Sequence, residues 1–199
     1  MNKRACALLV AVLLVLIAAV VGVERLLSAQ ITGERQAANE RALLDLLAPG
    51  SYDNHPLASP IVLPDSEKLG LPAPASAYLA TRNGVASAVL LPARGNGYEG
   101  SIELLLAISP AGQLLAVKVL SEHETPGLGD LSSAAKSPWL RGFFGHSLSD
   151  TDWRMKADGG QFDQMAGATV TSRAVSQAVQ QGLRYFDEHR AVLLPPVGP

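Results

Sequence analysis

Residues 163–188 read DQMAGATVTSRAVSQAVQQGLRYFDE, and this stretch organises the rest of the chain. Val175, Ala178, Val179, Gly182, Leu183 and Phe186 recur at i, i+3, i+4, i+7, i+8 and i+11, the spacing of one apolar helix face. The pattern predicts a helix over residues 170–188. Just upstream, Ala166, Gly167 and Ala168 are small and leave Thr169 unhindered, and hydroxyls follow at Thr171 and Ser172. A helix N-terminus presents unpaired N–H groups and the positive end of the helix dipole, so a hydroxyl there suits an anion or a phosphate. The same residues suit ordinary N-capping by Thr171 or Ser172, and the pattern leaves both readings open.

Working towards the N-terminus, the periodicity changes from helix to strand. Residues 101–109 (SIELLLAIS) and 114–121 (LLAVKVLS) flank Pro110-Ala111-Gly112 and predict a hairpin, with a further strand over residues 85–91. Gly95-Asn96-Gly97-Tyr98-Glu99-Gly100 matches GxGxxG, but alternating Ile102, Leu104 and Leu106 predict a strand after it. A dinucleotide fingerprint must open a helix, so these glycines read as a turn entering a strand. The turn after the hairpin, residues 121–130 (SEHETPGLGD), gathers carboxylates, an imidazole and a hydroxyl among glycines that permit close ligand approach. His123-Glu124 lacks a second histidine four residues on, and Pro126 interrupts any helix there, which excludes a zincin site. Pro56, Pro60, Pro64, Pro72 and Pro74 mark a surface segment of short extended pieces. Residues 132–136 predict a short helical piece, and residues 193–199 a loose Pro-rich tail.

At the other end, residues 5–23 (ACALLVAVLLVLIAAVVGV) carry no charge, and at helical rise they span roughly 28 Å, about one hydrocarbon core. Lys3 and Arg4 precede them, which predicts a transmembrane helix with a cytoplasmic N-terminus and the bulk of the chain outside. The rival reading, a cleaved signal peptide, has a long apolar run and only Leu27-Ser28-Ala29 as its cleavage site. Leu26, Leu27, Ile31, Ala38, Leu43, Leu44, Leu46 and Leu47 predict a helical continuation that stops at Ala48-Pro49-Gly50. Sixteen Lys plus Arg against eighteen Asp plus Glu, a net charge near −2, give no electrostatic footprint for nucleic acid. The single cysteine, Cys6, excludes an internal disulfide and a Cys-rich metal or cluster site.

Together these segments resemble the FMN-binding domain family, in the form it takes as the G subunit of Rnf-type (Rsx) ion-translocating electron-transport complexes. The likeness covers nearly the whole chain. It includes the N-terminal anchor, residues 49–54, Gly97-Tyr98-Glu99-Gly100, residues 123–130, Ser137-Pro138-Trp139, Phe143-Phe144, Trp153-Arg154-Met155-Lys156 and residues 163–175. Its most specific part is Asp163-x-x-x-Gly167-Ala168-Thr169, similar to the family's flavin-attachment motif. The resemblance implies an α+β fold: an N-terminal transmembrane helix, then one FMN-binding domain with an antiparallel sheet flanked by helices. The implied organisation is a cytoplasmic N-terminus (residues 1–4), a transmembrane helix (5–23), a helical stalk (24–50), a periplasmic FMN-binding domain (51–190) and a flexible tail (191–199) of a protein in the bacterial inner membrane.

It further implies FMN carried covalently, through a phosphoester to the Thr169 hydroxyl, installed from FAD and magnesium by a separate flavin transferase. Gly167, Ala168, Thr171 and the helix N-terminus would surround the phosphate, with Lys156 as a second cation. Glu124, Thr125, Leu128 and Gly129 would flank the isoalloxazine ring, and Trp153 would either cover a ring face or belong to the core. Ala166 departs from the family's usual Ser or Thr, removing a hydroxyl worth about 1 kcal/mol while leaving the acceptor intact. The implied role is relay of electrons in a membrane complex linking ferredoxin and NAD redox chemistry to ion movement. Its partners would be the other integral-membrane and iron–sulfur or flavin subunits, the transferase and the lipid bilayer, with no metal ligand or catalytic dyad in this chain. Three rivals stand beside this reading: the C subunit of a sodium-pumping NADH:quinone reductase, an anchored module or scaffold that binds FMN non-covalently, and a secreted hydrolase, for which no nucleophile–base pair is found.

Overall fold

The computed structural model describes residues 42–131 and 137–195. The chain divides into two units, Met1–Asp45 and Leu46–Pro199. In the first, residues 42–44 are helical. The helix therefore ends before Leu46 and Leu47, which the periodicity counted as helical. The expected transmembrane segment and the short helix over residues 132–136 lie outside the described residues. No helix among the described residues is long and apolar enough to cross a membrane.

The second unit is built on a five-stranded antiparallel meander, β1 (Ile61–Val62), β2 (Ser76–Arg82), β3 (Val85–Asn96), β4 (Ser101–Ile108) and β5 (Leu114–Ser121), paired in chain order. The hairpin between β4 and β5 is present, with Gly112 at φ +89 in its loop. A second hairpin joins β2 to β3 through Asn83 and Gly84, both in the left-handed region that a tight two-residue turn requires. Strand β3 runs five residues further than the apolar pattern predicts, through Pro92 and Gly95. Pro92 has no N–H to donate, and pairing of β3 with β2 has already stopped at Leu90. The Pro-rich segment holds β1 and two 3-10 turns, Pro56–Ala58 and Ser66–Leu69.

Three helices follow: α1 (Ser137–Arg141), α2 (Thr169–Glu188) and α3 (Arg190–Leu193). The long α2 lays the predicted face, Val175, Ala178, Val179, Leu183 and Phe186, into one core with Leu91 and Ala93 of β3 and Ile102, Leu104 and Leu106 of β4. Burying each of the valine, leucine, isoleucine and phenylalanine side chains contributes roughly 1.5–3 kcal/mol, and each alanine less. Two glycines make the approach possible. A Cβ on Gly95 would stand 2.8 Å from the Ala174 carbonyl oxygen, and one on Gly182 would stand 2.3 Å from Leu106 Cδ1. Helix α3 corrects the expected tail: residues 191–193 are helical, and Leu193 is fully buried. Phe143, Trp153 and Phe162 stack into the other end of the core, with Trp139 edge-on to Phe143.

Candidate functional site

The N-terminus of α2, the turn between β3 and β4 and the loop after β5 converge on one pocket of about 430 Å³. Tyr98, Glu124, Thr125, Leu128, Gly129, Gly167, Ala168, Thr169, Val170 and Thr171 line it. The volume falls within the roughly 300–1,000 Å³ typical of small-molecule sites. The pocket unites eight of the nine residues expected to hold a cofactor.

The first turn of α2 is left open. Ala168 stands at the cap position and no side chain caps the helix. The two candidate capping hydroxyls are occupied elsewhere. Ser172 Oγ donates to the Ala168 carbonyl at 2.8 Å and accepts from the Met165 N–H at 2.9 Å, while Thr171 Oγ1 donates to Glu124 Oε2. The N-terminal amides and the positive dipole end are thus free to meet an anion. Thr169 is half-buried on this turn, and among the described residues its hydroxyl has no hydrogen-bond partner. Gly167 delivers the chain to the helix at φ +76, a conformation that strains any residue with a Cβ. A Cβ there would also stand 2.6 Å from Leu128 Cδ1.

The opposite wall is organised by Glu124, which is buried. Its Oε1 accepts the Glu99 N–H at 3.1 Å, and its Oε2 accepts the Tyr98 N–H at 3.3 Å together with the Thr171 hydroxyl. One carboxylate therefore ties the 97–100 turn to the first turn of α2. Gly97 makes room for it, since a Cβ there would stand 2.2 Å from Oε1. Thr125 Oγ1 donates to Glu99, and the Leu128 and Gly129 amides donate to the Thr125 carbonyl at 3.1 and 3.2 Å, closing the loop. Leu128, Val170 and Tyr98 give the mouth exposed apolar surface. Gly97, Tyr98, Glu99 and Val170 lie in segments that carry the family resemblance, but no role in the site was expected of them; the GxGxxG match pointed to the first three without indicating what they hold.

Two expected contributors stand elsewhere. Lys156 is exposed, does not line the pocket and pairs with Asp163 at 2.6 Å. Trp153 is buried in the aromatic stack and donates from Nε1 to the Ser147 carbonyl at 3.3 Å, so it is core. Nearby, Arg173 on α2 grips Asp158 through two bonds of 2.9 and 2.8 Å. These bonds hold the Asp158 carboxyl below the usual carboxylate range. They also fasten the turn at residues 156–158 to the helix. Among the described residues no group of three or more His, Cys, Asp or Glu side chains could hold a metal ion.

The pocket thus joins an open helix N-terminus, suited to an anion, to an apolar mouth with one polar wall, the make-up of a small-molecule site. A family model described as "FMN-binding domain" matches residues 97–184. The chain is 52% identical over 178 residues to a Pseudomonas aeruginosa protein named as the G subunit of an ion-translocating oxidoreductase complex, covering 87% of this chain and 83% of that one. It is 42% identical over 159 residues to a Cereibacter sphaeroides protein of the same name, covering 78% and 71%. Among solved structures, Shewanella oneidensis NqrC matches with a TM-score of 0.49 and 23% identity, covering 74% of this chain and 76% of that one.

Proposed function

Because this chain belongs to the family of ion-translocating oxidoreductase complex G subunits and carries an FMN-binding domain, we propose that it is a membrane-anchored electron relay with FMN bound covalently to Thr169. The observation that carries the attachment is the half-buried Thr169, whose hydroxyl has no partner among the described residues on a helix turn left uncapped beside the pocket. In attachment the Thr169 oxygen forms the phosphoester, the FAD pyrophosphate bond breaks, AMP leaves and the hydroxyl proton is released. A flavin transferase with magnesium performs this step. When bound, FMN supplies one-electron and two-electron transfer. The chain's own groups hold it in place. The open amides of α2 stabilise the phosphodiester charge, Leu128 and Val170 offer apolar contact, and Glu124 fixes the facing wall.

Placement follows from the same reading. Residues 5–23 anchor the chain with its N-terminus in the cytoplasm, and residues 51–190 hold the flavin on the periplasmic side of the inner membrane. The partners are the other subunits of a ferredoxin- and NAD-linked ion-translocating complex. A tether suits this task, since the cofactor stays in place between single-electron steps and the anchor keeps it near its partners.

The test is in-gel flavin fluorescence after full denaturation, with the chain co-expressed with a flavin transferase, beside Thr169→Ala. A fluorescent wild-type band that disappears in the variant is the expected result. A dark wild-type band, with the transferase active on another acceptor, would refute covalent attachment and favour the reversible FMN binder.

A further inference from the structure

We infer that the Glu124 carboxylate gives this pocket a low reduction potential and that the Thr171 hydroxyl attenuates it; the inference rests on the pocket holding FMN. Glu124 is the one residue with a charged side chain among the described residues that line the pocket. Three donors face it, the Tyr98 and Glu99 amides and the Thr171 hydroxyl, the surroundings of a carboxylate that only accepts. Two further carboxylates bond to the loop that carries it, and neither lines the pocket. Glu122 Oε2 accepts the Glu124 N–H at 2.7 Å, and Glu99 accepts the Thr125 hydroxyl. Among the described residues no lysine, arginine or histidine lines the pocket, and Lys156, the cation expected there, is paired with Asp163.

Each electron that enters the pocket brings one negative charge until a proton follows it. A buried carboxylate opposes that charge more strongly than an exposed one, because less water screens it. The helix dipole acts the other way, but its open amides point to the phosphate end of the site. Hydrogen bonds to the carboxylate spread its charge, so removing a donor leaves more of it facing the pocket. Electrostatics therefore demands opposite shifts: neutralising Glu124 raises the potential, and removing the Thr171 hydroxyl lowers it. A role confined to holding the wall together predicts changes of the same sign in both variants.

The experiment compares wild type, Glu124→Gln, Thr171→Val and Thr171→Ser, each as the full chain produced with a flavin transferase. Denaturing-gel fluorescence reads attachment, and spectroelectrochemical titration reads the midpoint. The expected result is a fluorescent band for each, a higher midpoint for Glu124→Gln, a lower one for Thr171→Val and the wild-type value for Thr171→Ser. Fluorescent bands whose midpoints stay put or move together overturn the tuning role and leave the flavin site standing. A wild-type chain that is dark on the denaturing gel and also binds no free FMN in its native form overturns both. Should Glu124→Gln fail to fold, the Thr171 pair decides: a lowered midpoint restored by serine supports the inference, and an unchanged or raised one overturns it.

Discussion

Gly97→Ala should unfasten the wall of the pocket. The added Cβ would stand 2.2 Å from Glu124 Oε1, 2.9 Å from its Cδ and 2.8 Å from Ile102 Cδ1, whereas ordinary contact begins at 3.4 Å. The carboxylate must retreat by about 1.2 Å, and Oε1 holds the Glu99 amide at 3.1 Å, so that bond is lost. A hydrogen bond to a charged group contributes roughly 1.5–3 kcal/mol, and the crowding of Ile102 adds to the cost. A domain of this size loses about 2–4 °C of Tm per kcal/mol, so loss of the bond alone should lower Tm by about 3–12 °C. Gly100 in the same turn is the internal control. Its Cβ would meet nothing nearer than His123 Cβ at 3.8 Å, and Gly100→Ala should stay within ~0.5 kcal/mol. Calorimetric unfolding of the two variants reads the difference. In a Glu124→Ala background the Gly97→Ala cost should shrink to the part owed to Ile102, since the group it collides with is gone. A Gly97→Ala melt within 2 °C of wild type, or an equal drop in Gly100→Ala, would refute the assignment of Glu124 as the clamp.

Three other outcomes follow from the same geometry. Gly182→Ala places a Cβ 2.3 Å from Leu106 Cδ1 and should cost about 1–3 kcal/mol in thermal unfolding despite alanine's better helix propensity, because it pushes α2 off the sheet. Lys156→Ala removes an exposed pair with Asp163, so it should change stability by less than about 1 kcal/mol and leave flavin fluorescence intact; a dark band would restore Lys156 to the site. The Tyr185 phenol, which donates to the Pro64 carbonyl, is pushed from 10.0 up to about 12 by burial and then by the Asp65 charge. A raised folded value gives stability that is present below pH 10 and lost as pH rises through about 12, so ultraviolet titration of wild type minus Tyr185→Phe should show its step near pH 12.

The helix and the β4–β5 hairpin were legible because each repeats one signal over many residues: the 3.6-residue apolar stripe of α2 and the uninterrupted apolar runs beside Pro110-Ala111-Gly112. Strand β2 escaped because SAYLATR is short and mixes polar with apolar residues; its clearest marker is the Asn83-Gly84 turn beyond it. The extension of β3 escaped because Pro92 and Gly95 look like strand breakers. They are tolerated because β2 pairing ends at Leu90 and because α2 presses against Gly95. The site divides in the same way. Thr169 is legible from its small neighbours and the helix that follows. The Glu124 clamp is not, because its partners Tyr98 and Thr171 lie 26 and 47 residues away along the chain. The misplacement of Lys156 has a simple cause: a cation near a proposed phosphate is attractive, but Asp163 is held beside it on the same excursion of chain, its own carbonyl accepting from Trp139 Nε1 at 2.6 Å.

The openness of the pocket explains why a covalent bond would matter. Leu128 is 45% exposed, Val170 48% and Tyr98 75%, so the apolar surface offered to a ring is shared with solvent and desolvation contributes only part of its full value. A short tether supplies an effective concentration on the order of millimolar, enough to keep a site of about 10 μM intrinsic affinity almost fully occupied. A site of that affinity without a tether would empty on dilution. Thr169→Val tests this, since it keeps the branched shape on the helix turn and removes the hydroxyl. Titration of free FMN into this variant, followed by flavin fluorescence, should give a Kd weaker than about 1 μM, and gel filtration should strip the flavin. Nanomolar affinity in Thr169→Val would mean that the walls alone retain the cofactor. The Thr169 hydroxyl, without a hydrogen-bond partner among the described residues, would then need another explanation, and the proposed tether would not be needed to retain the flavin.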